Sequence, residues 1–287
     1  MGCAAVPLRE GSRNESYSAA KGFEATLFAT TMLELYQFRH SAFCEKVRLN
    51  LAARGLDYTV VEVTPGLGQL ELFRLSGQRQ VPVLRDGAEV IADSSAIAVY
   101  LDGQGKAPPL IPADPLERAR VLLLEDWADT TLAAGVRLAL WQAASQDGVL
   151  RGALLPEATP GPLRSLLGAF PGELLSSLGE VISRDGRQQL QTSLEQLAML
   201  VDSQPFLVGD QLSLADLAVA AQLYLLRFPA SAGAPLAGLG VPGVADHPLL
   251  LPLFAWRDRL YVSLGRVTEA AGAPPVAEGT GPGDPPD

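Results

Sequence analysis

The sequence is short of the residues that cross-link or metallate a fold. Cys3 and Cys44 are its only 2 cysteines and lie far apart, so a disulfide framework is not expected and a reducing, cytoplasmic setting fits. The 2 histidines, His40 and His247, supply no Cys/His spacing for zinc, and no metal is expected. Basic residues are outnumbered, 22 Lys and Arg against 32 Asp and Glu, for a formal charge of −10. That balance, with no local basic cluster, opposes nucleic acid and anionic membranes as partners. No apolar run approaches the roughly 18 residues needed to span a bilayer. Asp216 and Gln222 interrupt the best candidate, around Leu217 to Leu226. Residues 1–31 lack the apolar core of a signal peptide, and Val6 stands where a myristoylation signal wants Ser or Thr.

What is present divides the chain. Residues 1–31 are rich in Ala, Ser, Gly and Thr without a sustained period and read as a disordered extension. Over 32–102 the pattern is strand, helix, strand, helix, hairpin, helix. Leu33-Glu34-Leu35-Tyr36-Gln37-Phe38 alternates its side chains, and a helix runs from Ser41 to about Arg54. Tyr58 to Val63 is a second strand, and a parallel pair follows from the crossover. After a short helix near Leu67 to Leu75, Val81 to Leu84 and Glu89 to Ile91 make a hairpin, and a third helix opens at Asp93-Ser94-Ser95. The order βαβαββα predicts an α/β, thioredoxin-like domain with a mixed four-stranded sheet.

Residues 103–115, with Pro108-Pro109, Pro112 and Pro115, read as a linker. Strand signals vanish over 116–268, so an all-α domain is expected. Leu123, Trp127, Thr130, Ala134, Leu138 and Trp141 step along one long helix, Leu190 to Val201 along another, and Ser213-Leu214-Ala215-Asp216 reads as a capping box opening a buried one. Leu249 to Leu264 is a last helix. Residues 146–185 are too punctuated by Gly and Pro to place, and 269–287 form a disordered Gly/Pro tail.

Chemistry concentrates at the first strand-to-helix junction. Ser41 falls at the helix N-cap, where unpaired N–H groups and the positive end of the dipole favour an anion such as a thiolate or carboxylate. The motifs Ser41-Ala42-Phe43-Cys44-Glu45-Lys46-Val47-Arg48, Gln80-Val81-Pro82-Val83-Leu84, Ile91-Ala92-Asp93-Ser94-Ser95-Ala96-Ile97 and Phe206-Leu207-Val208-Gly209-Asp210 stand in order at suitable spacings. Together they resemble the soluble, cytosolic-type glutathione transferases with a Ser/Cys-type N-terminal motif, bacterial members among them, over roughly residues 33–264.

The resemblance implies glutathione as co-substrate, a small electrophile as second substrate and a homodimer. It places Ser41 at the thiol, a cis bond before Pro82 that presents the Val81 backbone to the peptide, and Asp93 and Ser94 at its γ-glutamyl end. Gln80 is carried over to the glycyl carboxylate. A thiol of pKa near ~8.5 is mostly protonated at pH 7, and lowering it by about two units takes roughly 2.7 kcal/mol. A helix N-terminus gives about 0.3–1 kcal/mol when exposed, and a donated charge-assisted hydrogen bond roughly 1.5–3 kcal/mol more.

Ser41 is therefore the expected catalytic group, with Cys44 and Tyr36 as alternatives. Trp127, Arg137 and Trp141 are candidates for an electrophile pocket against the long helix, although such stripes are more often core. Two other readings stay open: thiol–disulfide exchange or peroxide reduction through Cys44, and a non-catalytic protein-interaction module on the same scaffold.

Overall fold

The computed structural model describes residues 32–64, 67–105, 107–155, 159, 161–162, 165 and 183–266. The expected extension over 1–31, the tail over 269–287 and most of 146–185 lie outside the described residues. Strands β1 (Leu33–Gln37), β2 (Tyr58–Glu62), β3 (Val83–Asp86) and β4 (Glu89–Ala92) form one sheet in the order β2-β1-β3-β4. β1 and β2 are parallel, with Leu35 beside Val60, and β3 runs antiparallel to both β1 and β4. This is the expected mixed sheet, and α1 (Ala42–Ala53), α2 (Leu67–Ser76) and α3 (Ser94–Asp102) complete a thioredoxin-like domain.

Alternation along β1 sorts the two faces. Leu33 and Leu35 pack with Val47 and Leu51 of α1, Leu84 of β3, and Ile97 and Leu101 of α3. Tyr36 turns to the other face, against Val63, Leu72 and Val83. Each fully buried leucine contributes roughly 1.5–3 kcal/mol relative to exposure, so a one-residue slip of register is strongly disfavoured. β3 begins at Val83, two residues later than the sequence pattern suggests, since Pro82 has no N–H to give to the ladder. The hairpin turns at Gly87, whose φ of 58° is costly for other residues.

The remainder is helical: α4 (Pro115–Trp127), α5 (Ala133–Gln146), α6 (Gly148–Ala153), α7 (Ser183–Ser203), α8 (Leu214–Leu226) and α9 (Leu251–Ser263). The long helix expected from Leu116 to Ala144 is present, but a π turn, Ala128–Leu132, interrupts it between α4 and α5. Every residue of α8 is buried, and α1 packs directly on it. The capping box at its start is formed. Asp216 Oδ2 accepts from the Ser213 N–H at 2.8 Å, and Oδ1 accepts from Leu207 N–H at 2.7 Å, fixing the preceding loop. Burial pushes the Asp216 carboxyl up, opposed by these hydrogen bonds.

Candidate functional site

Backbone hydrogen bonds fix the corner between β1 and α1. Ser41 N–H bonds the Phe38 carbonyl at 3.1 Å, and the Ser41 carbonyl accepts from Glu45 N–H at 2.9 Å. Ser41 caps α1 with φ −97° and ψ 124°, its Oγ accepting from Cys44 N–H at 3.4 Å. That bond uses a lone pair of the hydroxyl, whose own proton is shared with the Cys44 sulfur. The N–H groups of Ala42 and Phe43, in the first turn, have no partner within the helix.

An exposed carboxylate, Glu62, and a buried guanidinium, Arg48, clamp this corner. Glu62 Oε1 accepts from Arg39 N–H at 2.6 Å, and its Oε2 accepts from Gln37 Nε2 at 3.1 Å. Arg48, 2% exposed, donates to the Arg39 carbonyl at 2.8 Å, to Gln37 Oε1, and through Nε to Glu45 Oε2 at 2.6 Å. Arg266, beyond α9, reaches the same Glu45 oxygen at 3.5 Å. Burial pushes the Glu45 carboxyl up, but Arg48 and then Arg266 outweigh it and hold it below its ordinary value.

His40 is tied to α8, with Nδ1 3.0 Å from the Tyr224 hydroxyl and its ring stacked on Tyr224 and edge-on to Phe228. Burial, then Arg39 and Arg48, pull its pKa from 6.5 to about 4. The folded pKa lies below the unfolded one, so this group's contribution is complete above pH 6.5 and is lost as pH falls toward about 4. The expected loss over that window is up to about 3 kcal/mol. Urea unfolding of wild type and His40→Gln at neutral pH and near the lower limit checks it; identical pH slopes would contradict it.

The two alternative thiol-activating groups are placed differently. Cys44 is fully buried, and burial pushes its thiol up to about 11 despite Arg48 and the Ser41 hydrogen bond. Redox chemistry at Cys44 would need an accessible thiolate. Tyr36 lies on the α2 face of the sheet, where its hydroxyl donates to Glu34 Oε2 at 3.4 Å.

The second half of the site is the β3 entry and the α3 N-terminus. The Val81–Pro82 bond is cis, Pro82 is buried and Gln80 is exposed. Asp93 takes φ 80° and caps α3, accepting from Ser95 and Ala96 N–H at 2.9 and 3.0 Å. Ser94, 4% exposed, faces Asp129 Oδ2 at 3.5 Å. Beneath it Lys46, 1% exposed, pairs with Glu125 at 2.6 Å, bonds Ser95 Oγ at 3.1 Å and also pairs with Asp129. Burial pushes the Asp129 carboxyl up against the opposing Lys46, and its Oδ1 is buried with no hydrogen-bond partner among the described residues.

Lys46 and Arg48 stand in the first motif, but their depth is not readable there. Glu125 and Asp129, four apart among apolar neighbours and both turned inward, were the one available signal of the buried cluster. A cleft of about 300 Å³ lies along α5 and α6, lined by Arg137, Leu140, Trp141, Ala144, Arg151 and Leu154 among others. Trp127 does not line it and packs against the helical core. Among the described residues no cluster of three or more His, Cys, Asp or Glu side chains is placed to hold a metal, and no helix is long and apolar enough to cross a membrane.

The glutathione S-transferase N-terminal domain matches residues 35–109 and the corresponding C-terminal domain matches 156–264. Glutathione S-transferase theta-3 of Mus musculus is 30% identical over 81% of this chain and 83% of its own length. Glutathione S-transferase Z2 of Arabidopsis thaliana is 37% identical, but the match covers 33% of this chain and 44% of that protein. The chain thus spans less than half the length of that relative. A theta-class glutathione S-transferase from Xanthomonas axonopodis pv. citri, solved with glutathione bound, superposes with a TM-score of 0.54 at 24% identity, over 84% of this chain and 99% of that one.

Proposed function

This chain belongs to the glutathione transferase family, and on that premise we propose that it binds glutathione, ionises its thiol against Ser41 and directs the sulfur onto a small electrophile. The observation that carries the reading is the Ser41 hydroxyl, held at the N-cap of α1, whose proton can turn from the Cys44 sulfur to a ligand. A thiolate placed there accepts that proton's hydrogen bond and faces the first N–H groups of the helix. The buried, un-ionised Cys44 thiol argues against the redox alternative.

The peptide then runs along the β3 entry. The backbone of Val81, ahead of the cis bond to Pro82, suits the cysteinyl amide groups, and exposed Gln80 suits the glycyl carboxylate. Ser94 and the α3 N-terminus suit the γ-glutamyl carboxylate. Asp93 uses one carboxylate oxygen for capping, leaving the other for the ammonium. The electrophile enters by the cleft bordered by Arg137 and Trp141. A cytoplasmic homodimer is the assembly we assign.

Glutathione-affinity capture, followed by conjugation assays with aryl halides, isothiocyanates, peroxides and mixed disulfides, tests the reading. Retention on the resin with turnover of an aryl halide or isothiocyanate is expected. No binding of glutathione would remove it, and turnover confined to mixed disulfides would return the redox alternative.

A further inference from the structure

The cleft along α5 carries a cation, Arg137, that no carboxylate among the described residues pairs with. Arg137, Leu140, Trp141 and Ala144 fall on one helix face, and Arg151, Leu154 and Leu155 line the cleft with them. At about 300 Å³ it sits at the lower end of the roughly 300–1,000 Å³ that holds a small organic ligand. Trp141 is 52% exposed and Arg137 is also exposed, so this stripe is not core; it is an apolar wall with an aromatic surface left for a ligand to cover. Among the described residues no acidic residue lines it, in a chain whose net charge is −10.

The two arginines differ in commitment. Arg151 donates to the Ala144 and Ser145 carbonyls at 2.6 and 3.1 Å. Arg137 instead lies over the Phe43 ring, its Cζ 5.8 Å from the centroid, and among the described residues no carboxylate pairs with it. Arg48, Arg257 and Arg266, largely out of water, each have an acidic partner, whereas buried Arg54 is held by backbone carbonyls. Phe43 follows Ser41 by two residues, so the unpaired guanidinium borders the side of the cleft nearest the proposed sulfur position. Stacking on a ring leaves the guanidinium's edge N–H groups free for a planar bidentate anion.

We infer that this cleft selects apolar, single-ring electrophiles that carry a carboxylate, with Arg137 receiving the carboxylate while Trp141, Leu140 and Leu154 cover the ring. The inference rests on the transferase reading. The test is calorimetric binding of S-(2-carboxybenzyl)glutathione and S-(2-methylbenzyl)glutathione to the full chain. Wild type should bind the carboxylated conjugate at least about tenfold tighter, which is about 1.4 kcal/mol. Arg137→Gln should bring the ratio of the two affinities close to one, and Arg137→Lys, which keeps the charge but not the planar fork, should retain part of it.

Equal affinities in wild type, or a preference that survives Arg137→Gln, would overturn the inference while glutathione binding stands. Failure of glutathione and both conjugates to bind would overturn the transferase reading together with it.

Discussion

Ser41→Ala is expected to lower kcat/KM for conjugation at neutral pH by about ten- to a hundredfold while leaving glutathione affinity within about threefold. The loss corresponds to one donated charge-assisted hydrogen bond, roughly 1.5–3 kcal/mol. That bond strengthens as the sulfur ionises, so it acts on the thiol pKa more than on tripeptide binding. The defect should be greatest at low pH and close near the free thiol's ~8.5, where ionisation needs no help.

Alanine also removes the N-cap of α1, worth about 1 kcal/mol, whereas glycine at an N-cap costs only a few tenths. Ser41→Gly should therefore lose the same rate with less stability, which separates capping from chemistry. Steady-state rates across pH for both variants, with thermal melts, are the measurement. A wild-type pH–rate profile in either variant takes Ser41 out of the reaction.

The largest stability loss is expected from Glu45→Ala. Glu45 is fully buried between Arg48 and Arg266, and its removal strands cations that are themselves largely out of water. Breaking such a pair from one side typically costs about 3–5 kcal/mol, because the remaining charge loses its compensation. That is a large part of the roughly 5–15 kcal/mol that holds a domain folded. Arg48→Met should also destabilise, since the Arg39 carbonyl and Gln37 lose their donor. The double variant should cost clearly less than the sum of the two, as both remove the same pair. Urea unfolding of the three variants measures this coupling; a loss below about 1 kcal/mol for Glu45→Ala, or simple additivity, would show the pair to be idle.

The fold was legible where local chemistry and tertiary packing agree. β1 alternates because one face packs on α1 and α3, and α8 opens at Ser213 because Asp216 three residues later can reach back. The π turn was not legible, because buried Ala128 and Leu132 continue the apolar stripe four apart and mask the weak helix formers Asp129, Thr130 and Thr131 between them. The ends of β1 and β3 were one or two residues off because the alternation runs on into loop residues such as Phe38 and Val81.

At the site, Ser41, Asp93 and Ser94 could be picked out because N-cap residues announce themselves by type and position. Lys46, Glu125 and Asp129 could not, since charged residues on a helix read as solvated until a second helix covers them. Nor could sequence decide whether Arg137 and Trp141 were core or cleft, because both answers give the same helical stripe.

The most direct measurement is the ionisation of the bound tripeptide itself, followed by thiolate ultraviolet absorbance as pH is raised, on wild type and on Ser41→Ala. A thiol pKa about two units below that of free glutathione on wild type, moving most of the way back in the variant, is the expected result. An unshifted pKa on wild type, or a shift that persists without the serine oxygen, would contradict thiol activation at this corner.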